Sequence, residues 1–144
     1  MRLRRLLGPT FLLGVCALAG SGGGCGGPEA RAPATARGRV LFQGRPLAGG
    51  TVVFTPHPDR GPAGKPATAR VGPDGEYRLA AGGSPYLAPG WYRVAIADPP
   101  DPASAAAFGV AFPAALRRPD RSGVEREVVA GKENVFEFWV EAGP

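Results

Sequence analysis

Short runs of alternating apolar and polar residues, interrupted by Gly and Pro, fill the chain after about position 37. The clearest run is 91–97, where Tyr92, Val94 and Ile96 share one face. Alternation with period two places successive side chains on opposite faces of an extended strand. The 23 Gly and 17 Pro among 144 residues also disfavour long helices. The sequence therefore predicts short, half-buried strands.

Seven segments show this pattern, and turn residues separate them. They are residues 38–43, 51–56, 67–71, 76–80, 91–97, 124–129 and 135–141. The third and fourth segments flank Gly-Pro-Asp-Gly at 72–75, which predicts a hairpin because Pro fixes one φ angle and Gly accepts a positive one. In the last segment, Phe136, Phe138 and Val140 are predicted to face the core. Seven such strands favour an all-β, two-sheet sandwich.

Residues 98–121 separate the fifth and sixth segments by more than the roughly 12 to 15 residues of an ordinary loop. One interpretation is a structural crossover, with a helical turn at 103–108 and apolar side chains packed onto the sandwich. Those side chains are Phe108, Val110, Phe112 and Leu116. The other interpretation is a loop that binds a partner, and the sequence leaves both open.

Residues 1–24 have the composition of an export signal. A basic start, Met-Arg-Leu-Arg-Arg, precedes an apolar run at 6–19, and small residues follow up to Cys25. The apolar run is shorter than the about 20 residues that a membrane-spanning helix needs. The sequence therefore predicts that 1–24 are removed and that the mature protein acts outside the cytoplasm.

Gly-Gly-Gly-Cys at 22–25 resembles the lipobox of bacterial lipoproteins, although the usual Leu three residues before the cysteine is absent. The resemblance implies that Cys25 becomes a diacylglyceryl-modified N-terminus, with acyl chains such as palmitate, and anchors the protein to a membrane of the cell envelope. Cys16 is an alternative, because Leu13 precedes it by three residues, but Val15 is bulky for the cleavage position. The remaining alternative is a secreted protein in which Cys25 is a free thiol or pairs with Cys16.

The rest of the mature chain divides into a linker and one domain. Residues 25–36 contain no large apolar side chain, so we predict a flexible tether there. Residues 37–144 have the length of a single domain. The predicted β-sandwich domain therefore occupies 37–144.

The charge of the chain gives no sign of a nucleic-acid partner. The whole chain has 17 basic and 12 acidic residues, and loss of the three arginines in the signal leaves 14 against 12, about +2. Nucleic-acid-binding domains carry a basic patch or stripe. The cluster Arg-Arg-Pro-Asp-Arg at 117–121 is interrupted by Asp120, so we predict a solvated loop.

Residue types that carry out catalysis or bind metal are scarce. His57 is the single histidine, and because it stands between Pro56 and Pro58 we predict that it lies on a surface loop. A serine- or cysteine-type hydrolase needs a nucleophile beside a base, and a zinc site needs three or four ligands. Asp74 belongs to the predicted turn and lacks the further oxygen ligands of a calcium loop. We therefore predict no catalytic residue, metal or cofactor.

Several motifs together resemble the carboxypeptidase regulatory-like domain. They are Gly-x-Val-x-Phe-x-Gly-x-Pro-Leu-x-Gly at 38–49, Gly-Pro-Asp-Gly-Glu-Tyr-x-Leu at 72–79 and Pro-Gly-Trp-Tyr-Arg-Val at 89–94. The resemblance implies a transthyretin-like (prealbumin-like), seven-stranded Greek-key β-sandwich with a non-catalytic accessory or interaction role. Hydroxyisourate hydrolases of that fold use several histidines and a C-terminal Tyr-Arg-Gly-Ser. With one histidine and a Glu-Ala-Gly-Pro ending, this chain is not expected to have that activity.

Two tryptophans are the candidate contact residues. Alternation directs Trp91, Arg93 and Trp139 away from the core, and exposed tryptophans stack on sugars or mark protein contacts. If their strands were neighbours in one sheet, the two rings would form a platform beside Arg93. The alternative is that the 98–121 crossover covers them through Phe108 or Phe112.

These observations predict a non-enzymatic, lipid-anchored cell-envelope protein, periplasmic or surface-facing, whose sandwich is a structural or protein-interaction module. The alternative is a carbohydrate-binding module that uses Trp91 and Trp139. A third hypothesis is an accessory domain for an envelope peptidase or transport complex. In each case the expected partners are the membrane, through Cys25, and an unidentified envelope protein or glycan.

Overall fold

The computed structural model describes residues 32–97 and 112–143, which form an all-β body. Its strands are β1 (Thr35–Phe42), β2 (Arg45–Pro46), β3 (Thr51–Pro56), β4 (Ala67–Arg70), β5 (Glu76–Arg78), β6 (Gly90–Ala97), β7 (Glu125–Val128) and β8 (Glu133–Val140). A single turn of 3-10 helix, Ala114–Arg117, precedes β7. Within these two ranges no helix is long and apolar enough to cross a membrane.

The strands form two sheets of four. In the first sheet β8 runs parallel to β1 along its whole length, and β1 pairs antiparallel with β5 and β2. In the second sheet all neighbours are antiparallel, in the order β4-β3-β6-β7. The arrangement is consistent with the predicted β-sandwich, with the inner faces of both sheets supplying one core.

The core confirms the inward faces that the alternation predicts. Val52 of β3, Tyr92, Val94 and Ile96 of β6, and Phe138 and Val140 of β8 are buried. Phe54 lies between the sheets, with its ring centroid 5.6 Å from that of Phe136 and 6.0 Å from that of Tyr92. Aromatic contacts of this kind add to the free energy gained by burial of apolar area.

β8 is fastened to β1 through a contact that only glycine permits. The hydroxyl of Tyr77 in β5 passes beneath β1 and donates a hydrogen bond to the Phe136 carbonyl at 2.9 Å. A Cβ on Gly38 would lie 1.7 Å from that carbonyl oxygen and 2.8 Å from the Tyr77 hydroxyl. Burial raises the pKa of Tyr77, an effect that the nearby charge of Arg126 only partly offsets, so the hydroxyl remains a donor.

The boundary of the predicted tether is wrong at its C-terminal end. β1 begins at Thr35, two residues before the predicted domain, and Ala34 and Ala36 are each only 1% exposed. Ala34 exchanges backbone hydrogen bonds of 3.3 and 2.8 Å with Leu87. The neighbouring backbone approaches so closely that the methyl groups of alanine fill the space. The start of the strand therefore contains no large apolar side chain by which the sequence could reveal it.

The turn at 72–75 is confirmed, but the hairpin around it is not. Gly75 has φ +80°, and the Asp74 carboxylate accepts a hydrogen bond from the Glu76 amide at 3.2 Å. However, β4 belongs to the second sheet and β5 to the first. The two predicted segments are joined only by the isolated bridge of Thr68 with Ala80 and by the bond from the Gly72 amide to the Glu76 carbonyl at 2.8 Å. The turn therefore carries the chain between sheets. β2 is a further difference, because the sequence predicts only a turn there.

The second half of the predicted crossover packs on the sandwich. Phe112 is 1% exposed, and its ring centroid lies 5.5 Å from that of Phe42. Leu116, on the 3-10 turn, packs against the core. The first half, with the predicted helical turn, Phe108 and Val110, lies outside the described residues, and so do the predicted signal and Cys25.

Candidate functional site

The two tryptophans lie in different sheets. Trp91 is on β6, whose partners are β3 and β7, whereas Trp139 is on β8, whose partner is β1. The condition for a platform of two rings beside Arg93, that their strands are neighbours in one sheet, is therefore not met. Alternation correctly gives the face of each residue, but it carries no information on which strands pair.

Trp91 is half-buried under the loop that follows β3. The guanidinium carbon of Arg60 lies 4.5 Å from the centroid of the indole ring, which is a cation–π contact. The Trp91 carbonyl accepts a hydrogen bond from the His57 amide at 2.9 Å, and its amide donates to the Arg60 carbonyl at 3.3 Å. Part of the ring is therefore covered by this loop. Of the two crossover residues in the alternative interpretation, Phe112 packs against Phe42 and Phe108 lies outside the described residues.

His57 is buried, with only 7% of its surface exposed, so the predicted surface-loop position is wrong. Its Nδ1 accepts a hydrogen bond from the Asp59 amide at 3.2 Å, which leaves the proton of the neutral ring on Nε2. Nε2 lies 3.1 Å from a carboxylate oxygen of Glu125 and donates to it. Both ring nitrogens are thus engaged, which leaves neither free to activate a nucleophile or bind a metal.

The Glu125 carboxylate completes this arrangement, here named the His57 cluster: His57, Arg60, Trp91 and Glu125. Arg60 binds the second carboxylate oxygen of Glu125 while its guanidinium covers the indole ring. Desolvation by burial raises the pKa of Glu125, but the hydrogen bond and charge of Arg60, with the charge of Arg93, outweigh it and hold that pKa below the usual range. Arg93 thus acts on this cluster.

The opposite outer surface is open. We name it the Trp139 face; it consists of the outward side chains Arg37, Arg39, Arg78, Val135, Glu137 and Trp139. Trp139 is 67% exposed and Val135 is 52% exposed. Trp139 lies beside Leu41 in the register of β1 and β8. Large apolar side chains exposed together on one sheet are a feature of contact surfaces.

A shallow concavity of about 560 Å³ crosses the Trp139 face. Its charged lining residues are Arg37, Arg39, Arg70, Arg78, Glu76 and Glu137. Arg37 pairs with Glu133 at 3.0 Å and Arg39 with Glu76 at 2.8 Å. Across residues 32–97 and 112–143, Arg70 and Glu137 have no ion-pair partner. The concavity therefore offers both an unpaired cation, Arg70, and an unpaired anion, Glu137.

A second depression lies between the edge of β8 and the second sheet. This groove of about 290 Å³ is lined mainly by apolar side chains, among them Val94, Ile96, Leu116, Phe138, Trp139 and Val140. Glu137 borders both the groove and the concavity. The two depressions therefore meet along β8.

Asn134 is a buried polar residue whose structural role the sequence does not reveal. Its side-chain oxygen accepts a hydrogen bond from the Val129 amide at 2.9 Å. Its nitrogen donates to the carbonyls of Thr35, Val129 and Lys132 at 3.1 to 3.2 Å. These bonds hold the start of β1, the end of β7 and the start of β8 together, so Asn134 fixes the base of the Trp139 face.

Among the described residues, no three His, Cys, Asp or Glu side chains come together in a way that would hold a metal ion. His57 and Glu125 are a pair, and Arg60 occupies the remaining carboxylate oxygen.

Comparison with known proteins does not assign a family. No protein-family profile and no curated protein sequence matches the chain. Two solved bacterial structures are similar at 17% sequence identity: the Bacillus anthracis TIE protein, with a TM-score of 0.47 over 77% of this chain, and a DUF3823 family protein from Parabacteroides merdae, with 0.42 over 79%. The matched regions span only 17% and 47% of those two chains. The resemblance to the carboxypeptidase regulatory-like domain stays a prediction.

Proposed function

We propose that the protein is a non-enzymatic, lipid-anchored component of the cell envelope and that its β-sandwich is a protein-interaction module. The observation that carries the interaction role is the Trp139 face, where two large apolar side chains of one strand, Trp139 and Val135, are both more than half exposed. The basic start, the apolar run and Gly-Gly-Gly-Cys at 22–25 support export and anchoring.

We further propose that the sandwich is of the carboxypeptidase regulatory-like, transthyretin-like type with a Greek-key order. The motif glycines support this proposal, because Gly38 admits the Tyr77 contact and Gly75 makes the turn between the sheets. Modules of this type serve as accessory or interaction domains. A separate envelope peptidase or transport complex is one kind of assembly that such a module would join.

Labelling with a fatty-acid analogue tests the anchor. Cells that express the full-length chain are expected to label it, and Cys25→Ala is expected to abolish the label while the matched control Cys16→Ala keeps it. Several acyl chains hold a protein on a membrane far more firmly than one. Equal labelling of Cys25→Ala and the unaltered chain, or no labelling of either, would contradict the anchor.

Carbohydrate binding is the second candidate function, now with Trp139 alone. It is favoured by one observation: the exposed indole shares its face with the arginine-lined concavity, so a sugar ring on Trp139 would lie near cationic groups. Binding to an array of acidic and neutral glycans, lost in Trp139→Ala and retained in Trp91→Phe, is the expected result. Binding that survives Trp139→Ala would remove this candidate.

A further inference from the structure

The outer edge of β8 is free of any partner strand within the part of the chain that the structure describes. β8 forms a ladder with β1, and no other described strand pairs with it. The Val140 carbonyl accepts a hydrogen bond from the Gln43 amide at 2.9 Å, so the even-numbered residues of β8 direct their backbone groups toward β1. By alternation, the amides and carbonyls of Val135, Glu137 and Trp139 face the free side. An eight-residue edge without proline is a template for a further strand.

We propose that this edge binds an extended segment of a partner protein as an additional strand of the first sheet, and that the segment alternates basic and apolar side chains. Strand addition is a recurrent mode of peptide recognition, in which the backbone supplies affinity and alternate side chains supply specificity. The inference rests on the proposed interaction role and names its site and the chemistry of its partner.

The charges of β8 argue for a basic segment and against a second copy of the chain. Glu137 has no ion pair within the described ranges, whereas Glu133 is held by Arg37 at 3.0 Å. The sequence of β8, Glu-Asn-Val-Phe-Glu-Phe-Trp-Val, contains no basic residue. In any register, a second β8 would therefore place Glu137 beside an acid or an uncharged side chain. A basic residue opposite Glu137 makes a favourable cross-strand pair, and the next basic residue on the same face of the segment lies beside the exposed Trp139 ring, where a cation–π contact is possible.

The groove can accommodate the side chains on the inward face of the added strand. A strand at this edge directs one set of side chains onto the Trp139 face and the other set inward, between the sheets. The inward positions face the groove of about 290 Å³, whose lining includes Val94, Ile96, Leu116 and Phe138. Apolar side chains at those positions would leave water. Both faces of an alternating segment thus find complementary surroundings.

Binding of a synthetic peptide tests the inference. The probe is a capped eight-residue peptide that alternates Lys and Val, and the controls are a Lys/Val block peptide and a peptide that alternates Glu and Val. Because the chain has a formal net charge of +5, bulk electrostatics would favour the acidic peptide. Amide hydrogen exchange by NMR on the full-length chain is expected to show new protection at Val135, Glu137 and Trp139 with the Lys/Val alternating peptide alone.

Two variants make the test specific. Glu137→Lys is expected to reverse the preference to the Glu/Val peptide by on the order of tenfold. Val135→Pro removes an edge amide that no described strand uses, so it should fold and yet lose the peptide, whereas the control Val135→Thr keeps it. Equal binding of all three peptides, a preference unchanged by Glu137→Lys, or a dimer joined through β8 would overturn the inference. Fatty-acid labelling is independent of these results, so a failed anchor and a failed peptide site are distinguishable.

Discussion

The His57 cluster and the Trp139 face contain the same kinds of residue, yet one is closed and the other is open. At Trp91, Arg60 lies over the ring and binds Glu125, which also accepts a hydrogen bond from His57. At Trp139 no such loop is present among the described residues, and the ring is 67% exposed. The comparison teaches that the segment packed over a strand, more than the alternation within it, decides whether an outward tryptophan is available to a partner.

The largest expected effect tests whether β8, which carries the open face, is held rigidly on β1. Gly38→Ala should lower the free energy of unfolding by about 3 kcal/mol or more, because the new methyl group collides with the Phe136 carbonyl and the Tyr77 hydroxyl. Gly44→Ala is the matched control: Gly44 has φ +75° with nothing within 4 Å, so only about 1 kcal/mol of backbone strain is expected. Urea denaturation measures both. Equal losses would show that the Gly38 contact does not fix β8.

The next effect concerns the centre of the closed region. His57→Ala removes a buried ring that accepts from Asp59 and donates to Glu125, so the free energy of unfolding should fall by about 2 kcal/mol. His57→Gln keeps some polar contacts, so its free energy of unfolding should lie between those of His57→Ala and the unaltered chain. Denaturation curves of both variants check this order. A surface-loop histidine would give no measurable change.

Replacing each tryptophan with alanine should change the free energy of unfolding by a smaller amount. Trp91→Ala loses the cation–π contact with Arg60 and part of a buried ring, and we expect a cost of about 1 to 2 kcal/mol. Trp139→Ala removes an exposed ring, and the expected change lies within about 0.5 kcal/mol. Thermal unfolding of the two variants measures the difference. A larger loss for Trp139→Ala would reverse the assignment of closed and open regions.

The smallest expected effect is a change in the dependence of stability on pH. The pKa of Glu125 is lower in the folded protein than its ordinary value of 4.5. Its stabilising contribution is therefore present above that ordinary value and is lost as the pH falls through the folded pKa. Glu125→Gln should therefore flatten the loss of stability that sets in as the pH falls below about 4.5. A slope unaffected by Glu125→Gln would contradict the ionised cluster.

The strands could be predicted from the sequence because alternation is local. Tyr92, Val94 and Ile96 are buried in β6 as the pattern predicts, and Val52 and Phe54 are buried in β3. The start of β1 could not be predicted in this way, because Ala34 and Ala36 have no large side chains. They are buried where their backbones bond to Leu87 and Leu79, respectively.

The site could be predicted only in part. The outward direction of Trp139 follows from alternation and is confirmed by its exposure. Placing β6 and β8 in separate sheets depends on pairing between distant segments, which one sequence does not encode locally. The burial of His57 depends in the same way on Glu125, which belongs to β7. Pro56 and Pro58 constrain only the backbone next to His57. They predict a loop there, but they carry no information on whether a distant strand covers it.

Acrylamide quenching of the two tryptophans, one at a time, tests the central claim most directly. Full-length chains with Trp91→Phe or Trp139→Phe each retain a single emitting ring. We expect the chain that retains Trp139 to be quenched readily and the chain that retains Trp91 to be shielded by Arg60. Equal quenching of the two rings, or stronger quenching of Trp91, would contradict the distinction between the closed cluster and the open face.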